Sequence, residues 1–506
     1  MYSKVDKIVR TTPKEIQQAY NGFKDLAKKS LEAHKVGNAL GYMDCCAILA
    51  QQFNWIYADD ELELMEKRIG EQLLSEPVTD YEVDPGRVVL FDDFCATYIL
   101  AVQYLDALST MGKKVLYVTS NSSQNEVTKT FFDRISQIPN VEILKVTGKI
   151  YSEVILSIYH SVLDFHPSKL LLHIKASSRI IPALHVLPNQ IEKYLINLAD
   201  QTFWLGARSI DYCIEFRPFG VSVSLERRGL KREQLLMQPF YPVKDPNPFQ
   251  GFPEGAKGHL TIFSGGDIYK TLDSRRTYWK LVKMILDKHP NVVFLFATKH
   301  NPMGDAAIKK FVSENHFEGR FFYVGFRPDI FEVLNHCDIY MGTFPASGSL
   351  MTQLAATNAT PVLQYYYPGT PDDETEQALC INEKFPISFQ DIDKFMQEAD
   401  HLITDARYRK QQGERIKHAM ISPEQFNTVL EQTLETNRSQ FPVETKVVDY
   451  AHLDNRWYEL EKCGFGSTLS FIFGELGKKN CKKYVPTLYY KKQIMSFMKK
   501  CFNKDV

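Results

Sequence analysis

Three short stretches of this sequence carry residue types that bind a phosphate or a nucleotide, and each follows a run of apolar or β-branched residues. The first reads Phe263-Ser264-Gly265-Gly266-Asp267-Ile268-Tyr269-Lys270. Glycines after a strand let backbone N–H groups approach an anion, and a lysine at the mouth supplies the positive charge a diphosphate needs. The same residues suit a tight strand-to-helix turn with a solvated lysine, and spacing alone fits both. The second reads Pro345-Ala346-Ser347-Gly348-Ser349-Leu350-Met351-Thr352. Small hydroxyl residues that open a helix can donate to phosphate oxygens, with the helix dipole adding to them. They can equally cap their own backbone. The third, Tyr323-Val324-Gly325-Phe326-Arg327, turns on glycine and offers an aromatic ring and a cation to a base, or is a plain turn.

A second set of residues suits a sugar hydroxyl. Phe91-Asp92-Asp93-Phe94 ends an apolar run with two carboxylates, either of which can act as general base. The alternative is that at least one of them caps the helix expected from Ala96. Arg208 and Asp211, beyond a strand expected over Phe203 to Gly206, are acceptor-side candidates or a structural ion pair. The acidic loop Pro368-Gly369-Thr370-Pro371-Asp372-Asp373-Glu374 is read as solvated, so no metal is expected. The nine cysteines are odd in number and lack metal-ligand spacing, which points to reduced thiols.

The elements that must position these residues alternate in type. Short apolar runs at Arg87 to Phe91, Lys114 to Thr119, Val141 to Val146 and Leu170 to Ile174 are separated by helix-length segments. That is the pattern of βαβ units around a buried parallel sheet. Between Gln238 and Gly258 prolines and glycines are too dense for a helix or a central strand, which marks a linker. The alternation then restarts with strands at Leu260 to Phe263, Val292 to Ala297, Phe321 to Val324, Asp338 to Gly342 and Pro361 to Gln364. The fold class expected is α/β, with two doubly wound Rossmann-like domains enclosing a cleft at their strand carboxyl ends. A helical segment precedes them, opening at Thr12-Pro13-Lys14-Glu15, and a basic tail follows. The expected division is 1–84 helical, 85–255 acceptor domain with linker, 256–440 nucleotide-sugar domain and 441–506 helical basic tail.

Composition narrows the function. At 506 residues, 44% hydrophobic and 24% charged, the chain is a folded globular protein of several domains. A net charge of -1 gives no global field toward nucleic acid, so no nucleic-acid partner is expected. No run approaches the ~18 apolar residues of a membrane span, and a cytoplasmic chain is expected. From Lys478 to Val506, however, lysine pairs interleave with Tyr484, Tyr489, Tyr490, Ile494, Phe497, Met498 and Phe502. Such a segment suits the surface of an anionic membrane, a polyanion, or a solvated tail with a few core contacts.

Tyr269-Lys270, the helix through Trp279 and Leu286, His289-Pro290-Asn291 and the strand Val292 to Ala297 resemble the catalytic region of the O-GlcNAc transferase family and its bacterial N-glucosyltransferase relatives. More broadly the chain resembles a GT-B glycosyltransferase. The resemblance spans most of residues 256–365 and touches Phe203-Trp204-Leu205-Gly206 with Ile210-Asp211-Tyr212-Cys213-Ile214. It implies that Lys270 contacts a nucleotide diphosphate and that Ser347, Gly348 and Ser349 hold phosphate. Ser264, Gly265, Gly266, Tyr269, Gly325, Phe326, Arg327 and Thr352 complete the expected donor site. The family's His-Thr-Thr is here Ser347-Gly348-Ser349, and Thr352-Gln353-Leu354 offers no carboxylate for the ribose. The expectation is a metal-independent, inverting transferase without cofactor, passing a sugar from a UDP-sugar to a glycan or lipid-linked glycan, in bacterial surface polysaccharide or glycoconjugate synthesis. The competing readings are a protein O- or N-glycosyltransferase, an epimerase or phosphorylase of the same fold, and a non-catalytic glycan-binding or scaffold subunit.

Overall fold

The computed structural model describes residues 11–74, 80–95, 100–121, 123, 125–244, 247–300, 302–366, 374–454 and 467–502; for residues 302, 303, 374, 467, 469 and 495–502 it describes the backbone alone. Most of the acidic loop 368–374 and the start of the helix expected from Ala96 therefore lie outside the described residues.

By its internal contacts the chain divides into two compact units, Met1–Gln238 with Asn427–Lys446 and Leu453–Val506, and Pro239–Phe426 with Val447–His452. The first opens with α1 (Pro13–Glu32), α2 (Val36–Phe53) and α3 (Asp60–Leu73). Thr12 and Glu15 form a reciprocal capping box at the start of α1, which satisfies two amides that a helix end leaves open. Strands and helices then alternate through β1 (Asp84–Asp92), α4 (Leu100–Thr110), β2 (Lys114–Thr119), α5 (Glu126–Ile135), β3 (Val141–Lys145), α6 (Tyr151–Phe165), β4 (Pro167–His173), α7 (Ile181–Leu184), β5 (Glu192–Ile196), β6 (Tyr212–Glu215), α8 (Pro218–Glu226) and β7 (Leu235–Met237). The sheet runs β3-β2-β1-β4-β5-β6-β7, and its paired strands are parallel.

One apolar core joins the N-terminal helices to this sheet: Phe23, Met43 and Ile69 cluster with Val89, Leu170 and Phe203. The helices Ser467–Tyr484 and Pro486–Phe502 return to the same core through Ile472, Leu476, Cys481, Val485 and Leu488. Gly22 of α1 leaves room for Tyr484, whose ring would stand 2.8 Å from a methyl at that position.

The second unit runs through β8 (Leu260–Gly265), α9 (Thr277–Lys288), β9 (Val292–Ala297), α10 (Pro302–Glu314), β10 (Phe321–Tyr323), α11 (Ile330–His336), β11 (Ile339–Met341), α12 (Ser349–Thr357), β12 (Val362–Tyr365), α13 (Glu374–Leu379), β13 (Ser388–Phe389), α14 (Ile392–Thr404), α15 (Ala406–Ala419) and the start of α16 (Pro423–Thr436), which from Asn427 on belongs to the first unit. Its sheet order is β10-β9-β8-β11-β12-β13. In both sheets the order reverses next to the first strand, between β1 and β4 and between β8 and β11. Open parallel sheets bind ligands at such a switch point, beyond the strand carboxyl ends.

Candidate functional site

In the second unit two of the sequence candidates meet at the β8/β11 switch point. After β8 the chain turns on Gly266, whose φ of 146° suits glycine, and its N–H donates to the Ala297 carbonyl at 3.0 Å. One 3-10 turn, Ile268–Thr271, then carries Lys270. The Lys270 stem lies over Gly266, where an added methyl would stand 3.5 Å from its Cδ. Its ammonium reaches the loop after β11: a methyl at Gly348 would stand 3.8 Å from Nζ. The Ala346 N–H donates to the Lys270 carbonyl at 3.3 Å, which ties the loops together.

Gly348 is the N-cap of α12 and provides no side-chain cap, so the amides of the first helical turn have no partner within the helix. Ser349 adds a buried hydroxyl without a hydrogen bond among the described residues. Lys270 makes no ion pair among the described residues, and burial holds its ammonium below the usual lysine range, with Asp267 opposing the shift. A half-buried cation, an uncapped helix N-terminus and an unspent hydroxyl thus converge on one spot, a constellation that can hold a diphosphate.

The other donor-side candidates are placed differently. Ser264 is fully buried in β8, Tyr269 is half-buried and Ser347 is half-buried at the α12 end. The Thr352 hydroxyl donates to the Ser349 carbonyl at 2.7 Å and so serves its own helix. Gly325 turns at φ 67° after β10, and Phe326 is 60% exposed. Arg327 is committed elsewhere, donating from Nε and Nη2 to Asp329 at 2.7 and 2.5 Å and from Nη1 to the Gly251 carbonyl.

In the first unit Asp92 and Asp93 stand at the β1/β4 switch point with unequal surroundings. Asp92 Oδ1 accepts from the Phe94 N–H at 2.8 Å and lies 2.9 Å from His173 Nδ1. Its Oδ2 accepts from the Cys95 N–H at 3.1 Å and the Tyr117 hydroxyl at 2.8 Å. Both oxygens are thus filled. Asp93 accepts from the Ser120 hydroxyl at 3.1 Å and from the Lys175 N–H at 3.3 Å. Burial raises its carboxyl above the usual range, the Asp92 charge adding to this while Ser178 and Lys175 oppose it.

Arg208 and Asp211 do not pair with each other. Arg208 Nε donates to Asp60 of α3 at 2.8 Å, and Asp211 accepts from the Lys193 N–H at 2.8 Å. The stretch Phe203 to Gly206 is a buried loop, not the expected strand. The Leu205 N–H donates to the Ala176 carbonyl, outside any ladder, and Gly206 breaks extension at φ 110°.

Among solved structures, the chain is similar to a variant of the O-GlcNAc transferase of Thermobaculum terrenum, at 12% identity over 90% of this chain and 86% of that one, with a TM-score of 0.50. It is similar to a glycosyltransferase of Rickettsia africae at 12% identity over 70% of this chain and 97% of that one, with a TM-score of 0.51. The chain has the GT-B fold. The architecture is shared beyond transferases, since a Listeria monocytogenes protein assigned as a UDP-N-acetylglucosamine 2-epimerase matches at 10% identity over 72% of this chain and 100% of that one, TM-score 0.50. No protein-family model and no curated protein sequence matches the chain.

Within this GT-B frame, sequence reasoning missed His173. It closes β4, is 1% exposed, packs its ring 4.6 Å from that of Phe94 and faces Asp92. A polar residue at the carboxyl end of an apolar run was the available signal. Also missed were Asp44 and Glu63, carboxylates that α2 and α3 turn toward the loops after β4 and β5.

Proposed function

We propose that the chain is a glycosyltransferase that takes a sugar from a UDP-sugar and passes it to a hydroxyl of a glycan or lipid-linked glycan, in bacterial surface polysaccharide or glycoconjugate synthesis. The observation that carries this reading is the Lys270 ammonium set against Gly348 at the uncapped end of α12. Charge that develops on the leaving diphosphate is met there by a cation and by oriented amides, the kind of stabilisation that contributes most to such reactions. This supports a reaction independent of a metal ion. Similarity in fold to an O-GlcNAc transferase and to a Rickettsia africae glycosyltransferase supports the same reading.

In the step proposed, the acceptor oxygen forms a bond to the anomeric carbon as the bond from that carbon to the diphosphate oxygen breaks. UDP leaves with the electron pair, the anomeric centre inverts, and the hydroxyl proton passes to Asp93. Asp93 suits the base because burial raises its carboxyl and each of its oxygens accepts from one donor, whereas each Asp92 oxygen already meets two partners.

A peripheral membrane location belongs to this reading. The helices Ser467–Tyr484 and Pro486–Phe502 bury Ile472, Leu476, Cys481, Val485 and Leu488 in the core of the first unit, while Lys478, Lys479, Lys482 and Lys483 are exposed, as are Tyr490 at 55% and Ile494 at 58%. Lysines beside exposed aromatic and aliphatic side chains suit anionic headgroups at the inner face of a membrane. Lys491 is occupied by Glu15 at 2.7 Å, and the side chains of Phe497, Met498 and Phe502 lie outside the described residues.

The test incubates the full chain with UDP-glucose and UDP-N-acetylglucosamine and follows UDP release and sugar products. Slow hydrolysis of one donor, lost in Lys270→Ala at unchanged melting temperature, is the expected result. Conversion to an epimeric UDP-sugar would assign an epimerase, and absence of binding to either donor would leave a non-catalytic shell.

A further inference from the structure

Besides the apolar core that they share with the sheet, the helices α2 and α3 meet the rest of their unit through charged side chains. Glu63 of α3 is 2% exposed and collects backbone donors: Gly206 N–H at 2.7 Å and Ala207 N–H at 3.0 Å on Oε1, with Arg208 N–H at 3.5 Å from Oε2. Burial pushes its carboxyl up to about 7 even against these donors. Asp60, in the turn before, holds the Arg208 side chain, and Asn54 donates to the Gln201 carbonyl at 2.7 Å. Asp44 of α2 accepts from the Ser177 hydroxyl at 2.6 Å and from Arg179 at 3.0 Å, and Arg179 stacks on Tyr151. Burying carboxylates is a costly way to gain stability, and it fixes geometry where each acceptor meets oriented donors.

Residues 175–179 follow the carboxyl end of β4, and residues 206–208 lie in the long connection from β5 to β6. They are joined to each other by the Leu205 N–H donating to the Ala176 carbonyl at 2.9 Å. The next residue back, Lys175, donates its N–H to Asp93 Oδ2 at 3.3 Å. A continuous path of hydrogen bonds and short backbone steps therefore runs from Glu63 through 205–207 and 175–176 to Asp93, and Asp44 grips the same loop from its other side.

We propose that α2 and α3 are a positioning element of the reaction, in which Glu63 and Asp44 hold the two linked loops whose backbone orients the Asp93 carboxylate. The N-terminal helices thereby gain a role in turnover besides stability. The inference rests on the reading of Asp93 as general base. Glu63 and Asp44 act through other groups and touch no substrate.

The experiment measures UDP release from the donor that the wild-type full chain turns over, in Glu63→Ala, Glu63→Gln, Asp44→Asn, Asp93→Asn and the double variant Glu63→Ala with Asp93→Asn. Misplacing a catalytic group by about 1 Å costs up to about a hundredfold in rate. A loss of that size in kcat is expected for Glu63→Ala with the donor KM unchanged. Glu63→Gln should retain most of the rate, because its Oε1 still accepts from Gly206 and Ala207. In the Asp93→Asn background Glu63→Ala should cost nothing further, since residues acting as a unit are non-additive. A wild-type kcat in both Glu63→Ala and Asp44→Asn, or the full loss repeated in the Asp93→Asn background, would overturn the proposal. If Glu63→Ala does not fold, Asp44→Asn is carried through the same cycle. If the wild-type chain releases no UDP, the transferase reading has failed, and hydrogen exchange decides the positioning itself. Amides of 173–179 should then exchange faster in Glu63→Ala or Asp44→Asn, and unchanged exchange in both would refute it.

Discussion

Lys270 owes its expected reactivity to how it is held. Its charge is disfavoured by burial and unrelieved by an ion pair among the described residues, so an incoming diphosphate is the partner that restores it. Donor binding should therefore take up a proton on the alkaline side. Affinity should fall as pH rises through the lowered Lys270 pKa, below the ordinary 10.5, because the neutral amine no longer attracts the anion. Donor KM followed against pH should show this limb in the wild type and lose it in Lys270→Arg, which stays charged. The same limb in both proteins would exclude Lys270 as its source. The two aspartates should also separate. Asp93→Asn is expected to lose turnover with little change in melting temperature, whereas Asp92→Asn should destabilise by about 2 kcal/mol, because an amide nitrogen cannot accept from the donors that now fill that carboxylate. Denaturant unfolding of both variants beside their rates checks the split. At this scale the sequence was legible where small residues and charges follow a strand, as at Gly266, Lys270, Gly348 and Asp93. His173 was legible in the same way, as a polar residue closing an apolar run, and was passed over; the sequence was silent on Asp44 and Glu63, because a carboxylate on a helix reads as solvated until the packing shows which loop it meets.

Elements were legible in proportion to their apolar length. The runs Lys114–Thr119 and Val292–Ala297 are strands with those limits. β5, β6, β7 and β13 are short or carry polar residues, and no comparable run announces them. The apolar stretch Phe203-Trp204-Leu205 looked like a strand because burial, not pairing, selects its residues: it is a core loop held by polar contacts at its ends. Close helix packing leaves its own mark in Gly70 of α3, where an added methyl would stand 2.1 Å from the Pro182 carbonyl oxygen. Backbone cannot yield there as a flexible side chain does. Gly70→Ala should thus cost about 2 kcal/mol or more by overpacking and disturb the loops that α3 holds, which a lowered denaturation midpoint would register. A midpoint equal to wild type would mean that α3 docks less tightly than described.

For the molecule as a whole, the two alternations of strand and helix and the linker between them were legible, whereas the strand orders that create the switch points and the return of the C-terminal helices to the first unit were not. Local periodicity gives a helix face but not the partner it buries against. That return changes how the membrane reading must be tested. Deleting Lys478–Val506 would strip Cys481, Val485 and Leu488 from the core, so reversing Lys478, Lys479, Lys482 and Lys483 to glutamate is the cleaner variant. The wild-type chain should co-sediment with phosphatidylglycerol vesicles and not with phosphatidylcholine ones, more weakly at high salt, each exposed lysine contributing about 1 kcal/mol. Equal sedimentation of the reversed variant would end that reading. The central claim, that the β8/β11 switch point holds a nucleotide diphosphate, is tested most directly by a crystal structure of the full chain with UDP. The diphosphate is predicted within hydrogen-bond reach of Lys270 Nζ and the first amides of α12, and a UDP bound away from both, or none bound at saturating concentration, would contradict it.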